Sequence, residues 1–354
     1  MGKVLMKGNE VIAEAAVHAG CKYFFGYPIT PQSELVAYMA RRLPEVGGLF
    51  LQAESEIAAI NMVYGAAGTG VRVMTSSSSP GFSLKQEGIS YMVGSELPAV
   101  IVNVVRGGPG LGNIQPAQSD YFQVTKGGGH GDYHIPVLAP STLQEIVDLT
   151  RDAFDIADRY RTPVILMGDG MLGQMMEPVE FKEQKDSILP EKNWATTGTR
   201  GDGGPKIITS LELDAESLEN RNQQLQKKFA KIKEAEVRYE TNFTHDADYI
   251  IVAFGTVARI AMNAVNRARQ EGIKIGMIRP ITLSPFPQKP FDETRTRVKG
   301  YISVEMSAGQ MVEDVRLAVN GDAPVDFFGR TGGVVPTQEE VFEKIMSVAG
   351  GIEV

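Results

Sequence analysis

The sequence predicts an α/β fold with parallel sheets, in two units that a polar interval separates. Apolar strand-like runs alternate with helical runs over residues 1–176. Residues 177–246 are polar and charged, and the alternation resumes over residues 247–354. Strands that alternate with helices usually pair in parallel, because each helix carries the chain back across the sheet. These observations predict two α/β domains joined by a partly helical excursion or linker.

The first elements follow from apolar spacing and from turn residues. Residues 9–19 have the apolar spacing of a helix, and Gly20 is a typical residue just after a helix end. Residues 23–25 are apolar and predict a short strand, which ends in the loop 26–31. Proline is favoured in the first turn of a helix, so we expect Pro31 to open the next one.

The rest of the first unit continues the alternation. Residues 54–64 predict a helix whose inward face carries Ile57, Ile60, Val63 and Tyr64. The later predicted elements are a strand at 71–75, a polar loop at 76–81, a buried strand at 98–105, a helix that a capping box at 141–144 opens and that ends near Arg161, and a strand at 163–167.

The polar interval and the second unit have patterns of their own. Residues 215–239 show a long, charged helical pattern that includes Leu218, Leu225, Phe229 and Ile232. In the second unit we predict strands at 249–253, 273–278, 300–305 and 325–328, and a helix at 255–269.

Composition excludes several classes of protein. The 354 residues are 43% hydrophobic, enough for a large core, and the formal net charge is -8. Nucleic-acid-binding proteins usually carry a basic surface, so no such partner is expected. No apolar run is long enough for a membrane span, and charge and glycine interrupt the start where a signal peptide would be apolar. We expect a cytoplasmic protein whose single cysteine, Cys21, is buried and inert.

Two candidate segments lie early in the first unit. Residues 26–31 follow a strand, where ligands bind in α/β sheets, and Thr30 offers a hydroxyl; a rigid turn explains the same residues. Glu54 and Glu56 stand at a predicted helix start, where acidic residues are favoured in any case. Because an apolar stretch follows Glu56, we expect one carboxylate to point inward, and a buried carboxylate without a partner usually serves a function.

Two more candidate segments follow later strands. Residues 75–81 are rich in hydroxyls ahead of a helix, and they suit either an anion or a loop that caps itself. Arg106 ends a buried strand at a glycine-rich turn. There it suits either bidentate recognition of a carboxylate or a salt bridge.

Other motifs are weaker. Residues 168–170 and 201–203 are Gly-Asp-Gly sequences that resemble the start of a magnesium–diphosphate motif, but the asparagines that such a motif requires do not follow at the right distance. We interpret residues 168–170 as a strand-end turn. His130 and His134 have the spacing of a metal site on a helix, but the glycines and proline around them disfavour a helix, so no metal site is expected.

Together, these segments resemble the 2-oxoacid:ferredoxin oxidoreductases along nearly the whole chain. The segments that carry the resemblance are residues 7–10, 26–31, 54–56 and 79–81, the turn after Arg106, and residues 254–256 and 305–310. The opening is most similar to the alpha-type subunit of the branched-chain enzymes, which act on 3-methyl-2-oxobutanoate (2-ketoisovalerate). The enzymes that act on 2-oxoglutarate share most of the pattern.

The resemblance implies a doubly wound, pyrimidine-type thiamine diphosphate domain, followed by a smaller domain like the C-terminal domain of transketolases. It implies coenzyme A-dependent oxidative decarboxylation of a 2-oxoacid to acyl-CoA and CO2, with reduction of ferredoxin. A beta subunit would supply the diphosphate and Mg2+ half of the site and a [4Fe-4S] cluster. Gamma-type and small ferredoxin-like subunits would complete the assembly.

The resemblance also implies roles for particular residues. Glu56 matches the glutamate that hydrogen-bonds N1′ of the aminopyrimidine, and Glu54 is the reserve choice. Thr30 and Arg106 match positions that hold the carboxylate and keto group of the substrate. The remaining residues expected near the cofactor are Tyr27, Pro28, Ile29, Ser79, Pro80 and Gly81.

Four alternatives stay open. The chain could be the alpha subunit of a 2-oxoglutarate enzyme, or a scaffold paralogue that kept the fold and lost the chemistry. It could also be a thiamine enzyme with both half-sites in one chain, which only the Gly-Asp-Gly sequences favour. A nucleotide-binding dehydrogenase is the fourth alternative, and the missing GxGxxG fingerprint counts against it.

Overall fold

The computed structural model describes residues 2–182, 188–198 and 204–350. Their helices are α1 (Gly8–His18), α2 (Ser33–Glu45), α3 (Glu56–Gly68), α4 (Ser79–Ser83), α5 (Gln86–Gly94), α6 (Tyr121–Thr125), α7 (Leu143–Tyr160), α8 (Gly170–Gln174), α9 (Ala215–Ala235), α10 (Gly255–Gln270), α11 (Lys289–Asp292), α12 (Met311–Val319) and α13 (Gln338–Gly350). Their strands are β1 (Val4–Lys7), β2 (Tyr23–Gly26), β3 (Leu49–Gln52), β4 (Val73–Ser77), β5 (Ala99–Val105), β6 (Val137–Leu138), β7 (Pro163–Asp169), β8 (Met176–Val179), β9 (Tyr239–Asn242), β10 (Tyr249–Val252), β11 (Ile275–Pro280), β12 (Thr282–Ser284), β13 (Gly300–Glu305) and β14 (Val325–Gly329).

The larger sheet has seven strands in the order β12-β6-β7-β5-β4-β2-β3. All neighbours pair in parallel except β12, which runs antiparallel to β6. Successive side chains of a strand point to opposite faces. Phe24 accordingly belongs to the core cluster that contains Ile12 of α1 and Leu35 of α2, whereas Phe25 belongs to the cluster that contains Ile60 of α3 and Ile89 of α5. Helices therefore cover both faces, and the predicted doubly wound parallel sheet is confirmed.

The smaller sheet has five strands in the order β14-β13-β10-β11-β9. Only β9 pairs antiparallel, with β11. Ile251 of β10 belongs to a core cluster with residues of α10 and α13, and Ile250, on the other face, belongs to a cluster that contains Met311 of α12. The chain thus has the second α/β unit that the sequence predicts.

Each of the two larger sheets has an antiparallel edge strand that comes from the other side of residue 246 in the sequence. β9 lies in the polar interval and joins the smaller sheet, whereas β12 lies in the second unit and joins the larger one. β1 and β8 form a separate two-stranded ladder. The division into 1–176, 177–246 and 247–354 stays a prediction.

The structure corrects two predictions at the starts of helices. α2 begins at Ser33, so Pro31 precedes the helix and does not open it. Ile57 is 49% exposed because it lies on the outer side of the first turn of α3, whereas Ile60 and Val63 are buried as predicted.

Other predicted bounds also change. The stretch 76–81 is not one polar loop, because β4 continues through Ser77 and α4 begins at Ser79. The cap of α7 is Thr142, one residue later than predicted, and its hydroxyl accepts from the Glu145 N–H at 3.1 Å. In α9, Leu218 is exposed, although Leu225, Phe229 and Ile232 are buried. Among the described residues, none of the helices combines the length and the apolarity of a membrane span.

Candidate functional site

The predicted site residues lie at the carboxyl ends of four adjacent strands. β5, β4, β2 and β3 are neighbours in the larger sheet, and the segments that follow them begin at Arg106, Ser78, Tyr27 and Ala53. Parallel strands direct their carboxyl ends to the same edge, where ligands bind in open α/β sheets. The fold therefore collects segments that are far apart in sequence.

Glu56 is the first residue of α3 and only 6% exposed. Ser55 caps the helix by accepting a hydrogen bond from the Ala58 N–H at 3.2 Å. The carboxylate of Glu56 accepts no hydrogen bond from any described residue. Glu54 is exposed and receives only the Ser55 hydroxyl, at 3.5 Å. Of the two glutamates, the fold buries Glu56.

The space in front of Glu56 depends on a glycine. A Cβ atom built on Gly81 would lie 2.3 Å from Oε1 of Glu56 and 2.4 Å from Oγ of Ser77. The hydroxyls of Ser77 and Ser78 are buried and have no hydrogen-bond partner among the described residues. Buried polar groups are normally paired. A carboxylate and two hydroxyls without partners fit a polar ligand at this edge.

Arg106 is 6% exposed, yet no salt bridge to it is found among the described residues. Its Nη1 donates to the carbonyl of Thr30 at 3.0 Å, and its Nη2 donates to the carbonyl of Leu111 at 2.9 Å. Its Nε is buried without a partner. The predicted alternative of a salt bridge is therefore not observed. Neutral carbonyls fix the guanidinium, and its charge acts on the carboxylate of Asp120 without a salt bridge to it.

The loop that follows β2 borders Arg106. Thr30 is exposed, and its contact with Arg106 uses the main-chain carbonyl, so its hydroxyl is free of that contact. Pro28 is exposed, whereas Tyr27 and Ile29 are half-buried.

Ser79 has an unusual backbone and a dense set of hydrogen bonds. Its φ is 30°, a strained value for a residue with a side chain. Its N–H donates to Oδ1 of Asn103 at 3.1 Å, and its hydroxyl donates to Asp120 at 2.7 Å. The N–H of Arg106 donates to the same hydroxyl at 3.0 Å. The network holds Ser79 in place and joins it to Arg106, while Pro80 is half-buried beside it.

Asp120 and Asn103 belong to this network but escaped the sequence analysis. Nδ2 of Asn103 donates to Asp120 at 2.9 Å. Burial raises the pKa of Asp120 above its ordinary value, although the hydrogen bonds from Asn103 and Ser79 and the charge of Arg106 oppose the shift. Asn103 had a signal in the sequence, since it is the polar residue inside the apolar run of β5.

Lys85 is a second residue that the sequence analysis missed. It is fully buried, between α4 and α5. Its Nζ donates to Oγ1 of Thr75 at 3.1 Å and, at 3.5 Å, to the main-chain carbonyl of Glu56. Burial lowers the pKa of Lys85 from 10.5 to about 8, although the nearby charge of Glu56 acts in the opposite direction.

Of the weaker motifs, the first Gly-Asp-Gly sequence has a structural role. Asp169 caps α8 by accepting from the N–H groups of Met171 and Leu172, and it also accepts from the hydroxyl of Thr256. Residues 168–170 thus end a strand, as we interpreted them, whereas residues 201–203 lie outside the described residues. No cluster of three or more His, Cys, Asp or Glu side chains suited to a metal ion occurs in the part of the chain that the structure describes.

Two family profiles match the chain. Residues 14–242 match the family described as "pyruvate flavodoxin/ferredoxin oxidoreductase, thiamine diP-bdg", a thiamine diphosphate-binding domain. Residues 247–341 match the family described as "pyruvate:ferredoxin oxidoreductase core domain II".

Two curated relatives match over almost their full length. The chain is 52% identical to ketoisovalerate oxidoreductase subunit VorB of Methanothermobacter thermautotrophicus, over 99% of both chains. It is 36% identical to 2-oxoglutarate synthase subunit KorA of Methanothermobacter marburgensis, over 97% of this chain and 98% of the relative.

Solved structures share the fold. The 2-oxoglutarate:ferredoxin oxidoreductase of Magnetococcus marinus, with 2-oxoglutarate, coenzyme A and succinyl-CoA bound, has a TM-score of 0.89 and 27% identity; the match covers 98% of this chain and 65% of that one. A split-gene transketolase, an inactive beta4 tetramer, has a TM-score of 0.61 over 98% of both chains at 14% identity, which shows similarity of fold alone.

Proposed function

The chain belongs to the 2-oxoacid:ferredoxin oxidoreductase family, and on this premise we propose that it is the alpha-type subunit of an enzyme that oxidises 3-methyl-2-oxobutanoate. The proposed reaction is coenzyme A-dependent oxidative decarboxylation to acyl-CoA and CO2, with reduction of ferredoxin. One observation carries the proposal. A buried carboxylate without a hydrogen-bond donor, Glu56, and a buried guanidinium without a salt bridge, Arg106, lie at the same edge of the sheet.

The residues around Glu56 suit the pyrimidine half of thiamine diphosphate. Once bound, this cofactor supplies the nucleophile and the electron sink for decarboxylation of a 2-oxoacid. We propose that Glu56 accepts a hydrogen bond from the aminopyrimidine ring and fixes its tautomer. Gly81 leaves room for the Glu56 carboxylate itself. The residues proposed to line the ring are Tyr27, Pro28, Ile29, Ser79 and Pro80, with the free hydroxyls of Ser77 and Ser78 below.

Arg106 and Thr30 suit the carboxylate and keto group of the substrate. Two carbonyls already orient the guanidinium, so little conformational entropy remains to be lost when an anion binds. Its unpaired Nε can donate to that anion. The exposed hydroxyl of Thr30 offers a further donor from the adjacent loop.

The choice of a branched-chain substrate has two supports. The relative that is 52% identical is named for ketoisovalerate, and the one that is 36% identical is named for 2-oxoglutarate. In addition, the loop after Arg106 exposes the apolar side chains Leu111 (81%) and Ile114 (57%). Apolar side chains there suit a branched aliphatic tail better than a second carboxylate.

The rest of the site is proposed to come from partner chains. A beta subunit would supply the diphosphate and Mg2+ half of the site and a [4Fe-4S] cluster, and gamma-type and small ferredoxin-like subunits would complete the electron path. The single cysteine of this chain supports this division, because an iron–sulfur cluster needs several thiolates. A cytoplasmic location stays a prediction from the sequence.

The test is activity of the assembled complex. The chain is co-expressed anaerobically with its candidate partners, and coenzyme A-dependent reduction of a viologen dye is measured with a panel of 2-oxoacids. We expect 3-methyl-2-oxobutanoate to give the highest kcat/KM. Glu56→Gln should abolish turnover, and the matched exposed variant Glu54→Gln should retain it.

Each other outcome contradicts a defined part of the proposal. A clear preference for 2-oxoglutarate overturns the substrate and keeps the reaction. Full activity of Glu56→Gln overturns the site, and loss of activity in Glu54→Gln alone moves the assignment to Glu54. A correctly assembled, cofactor-loaded complex without activity towards any 2-oxoacid favours the scaffold alternative.

A further inference from the structure

Lys85 is a buried cation whose surroundings differ from those of other lysines in the fold. It is fully buried, and its Nζ contacts two neutral oxygens. No carboxylate lies within salt-bridge distance of it among the described residues. Lys228, by contrast, pairs with Glu96 at 3.1 Å and donates to the carbonyl of Arg161 at 3.1 Å.

Such a group destabilises the folded chain. A buried ammonium loses its hydration, and without a paired carboxylate little offsets that loss. The lowered pKa of Lys85 has the same origin. A pKa of about 8 still leaves Lys85 mostly protonated at neutral pH. The chain thus keeps a charge at residue 85, where an uncharged methionine of similar length would give a more stable folded chain.

The contacts of Lys85 point to the site. Its ammonium joins Thr75 of β4 to the main chain of Glu56, the first residue of α3. Thr75 and Glu56 are the described residues that accept hydrogen bonds from it, and Glu56 also acts on it through its charge. The lysine therefore contacts the main chain of the residue whose carboxylate lies against Gly81.

We propose that Lys85 is a positioning residue for Glu56: its ammonium ion holds the start of α3 against β4 and supplies a buried positive charge near the Glu56 carboxylate. The inference rests on the proposed function and assigns to Lys85 a role that works through Glu56. It also explains why an unpaired charge is retained at a cost in folding stability, since strained or costly arrangements are found at functional sites.

The test compares the stability and the turnover of Lys85→Met. Stability is measured on the isolated chain by denaturant unfolding, and kcat and KM are measured on the assembled complex. We expect the variant to unfold at a higher denaturant concentration than the parent chain at about pH 7 and the difference to shrink by about pH 10. The sign follows from the lowered pKa: between the folded and unfolded values the unfolded chain binds more protons, so the parent chain gains stability as pH rises.

Turnover should change in the opposite direction. We expect kcat of Lys85→Met to fall by at least about tenfold and KM for the 2-oxoacid to stay within about twofold, because Arg106 is untouched. In the parent complex kcat should decline as Lys85 loses its proton above about pH 8, and this decline should be absent in Lys85→Met. A purely structural lysine would not produce this pH profile.

Lys228→Met is the matched control, because it removes a partly buried but paired lysine. It leaves Glu96 short of one partner, so we expect lower stability with kcat within about twofold of the parent. Lower stability or failure to fold of Lys85→Met overturns the inference, as does unchanged kcat or an unchanged alkaline decline. The proposed function is contradicted by a different result, namely full activity of the Glu56→Gln variant.

Discussion

Gly81 and Glu56 approach so closely that a Cβ atom at residue 81 would lie 2.3 Å from Oε1 of Glu56. The same atom would lie 2.4 Å from Oγ of Ser77. Real Cβ contacts are not this short, so any side chain at residue 81 must displace the Glu56 carboxylate or the Ser77 hydroxyl. The orientation of Glu56 thus depends on glycine at a position in α4.

Gly81→Ala should therefore impair activity more than folding. We expect stability to fall by ~1–3 kcal/mol from overpacking. We expect kcat of the complex to fall by at least about tenfold, because the carboxylate moves. Gly65→Ala is the control: it lies in α3, its added Cβ has no neighbour within 4 Å, and it should gain ~0.5–1 kcal/mol at unchanged kcat. Full turnover of Gly81→Ala would show that Glu56 can relax without consequence.

Arg106→Lys should weaken substrate binding although the charge is kept. A lysine cannot donate to the carbonyls of Thr30 and Leu111 and to an anion with the geometry of a guanidinium. We expect KM for the 2-oxoacid to rise by about tenfold or more. Arg295→Lys, at a half-buried arginine that pairs with Asp292 and Asp322, is the matched control and should leave KM unchanged. An unaltered KM in Arg106→Lys would separate Arg106 from the substrate.

Asp120→Asn should stabilise the chain most at neutral pH. The raised pKa means that the folded chain binds more protons than the unfolded chain above the ordinary value of 3.8, so the parent loses stability as pH rises through this range. The asparagine variant lacks that loss. Its advantage in denaturant unfolding should shrink as pH falls to about 4.

Asp120→Ala is the comparison for that variant. It leaves the donors of Ser79 and Asn103 without a partner, and we expect a loss of ~1–3 kcal/mol at every pH. If the asparagine and alanine variants have equal stability, Asp120 does not hold Ser79 in its strained backbone.

Cys21 should resist alkylation in the folded chain. Burial raises the pKa of its thiol to about 12, and the thiolate is the reactive form. Mass spectrometry after treatment with iodoacetamide at about pH 8 should show an unmodified native chain and a fully modified denatured chain. Rapid labelling of the native chain would indicate that this part of the core opens.

Local patterns predicted most of the elements, whereas long-range pairings could not be predicted. The strands from Tyr23, Ala99 and Pro163 follow from short apolar runs, which report burial directly. The pairing of β9 with β11 and of β12 with β6 depends on contacts between distant segments, about which local spacing says nothing. Ile57 was misplaced because a helix start does not fix which face is buried.

For the candidate site, the sequence identified the residues that follow strands, but not the buried residues that contact them. Glu56, Thr30 and Arg106 follow strands of one sheet, so their approach to the same edge follows from topology. Lys85 could not be predicted as a buried residue, because lysine is almost always exposed and its neighbours in sequence give no signal of burial. Asp120 belongs to a loop, where polar residues are common and carry no signal of burial.

The three residues of β12 have a consequence for whether the first matched region can fold by itself. The first profile match ends at residue 242, yet the sheet it covers finishes on Thr282–Ser284. A gene fragment encoding only the first match would leave β6 with a bare edge, which promotes aggregation. The first matched region therefore does not complete its own sheet, and the edge at β6 is covered only when a segment of the second matched region is present.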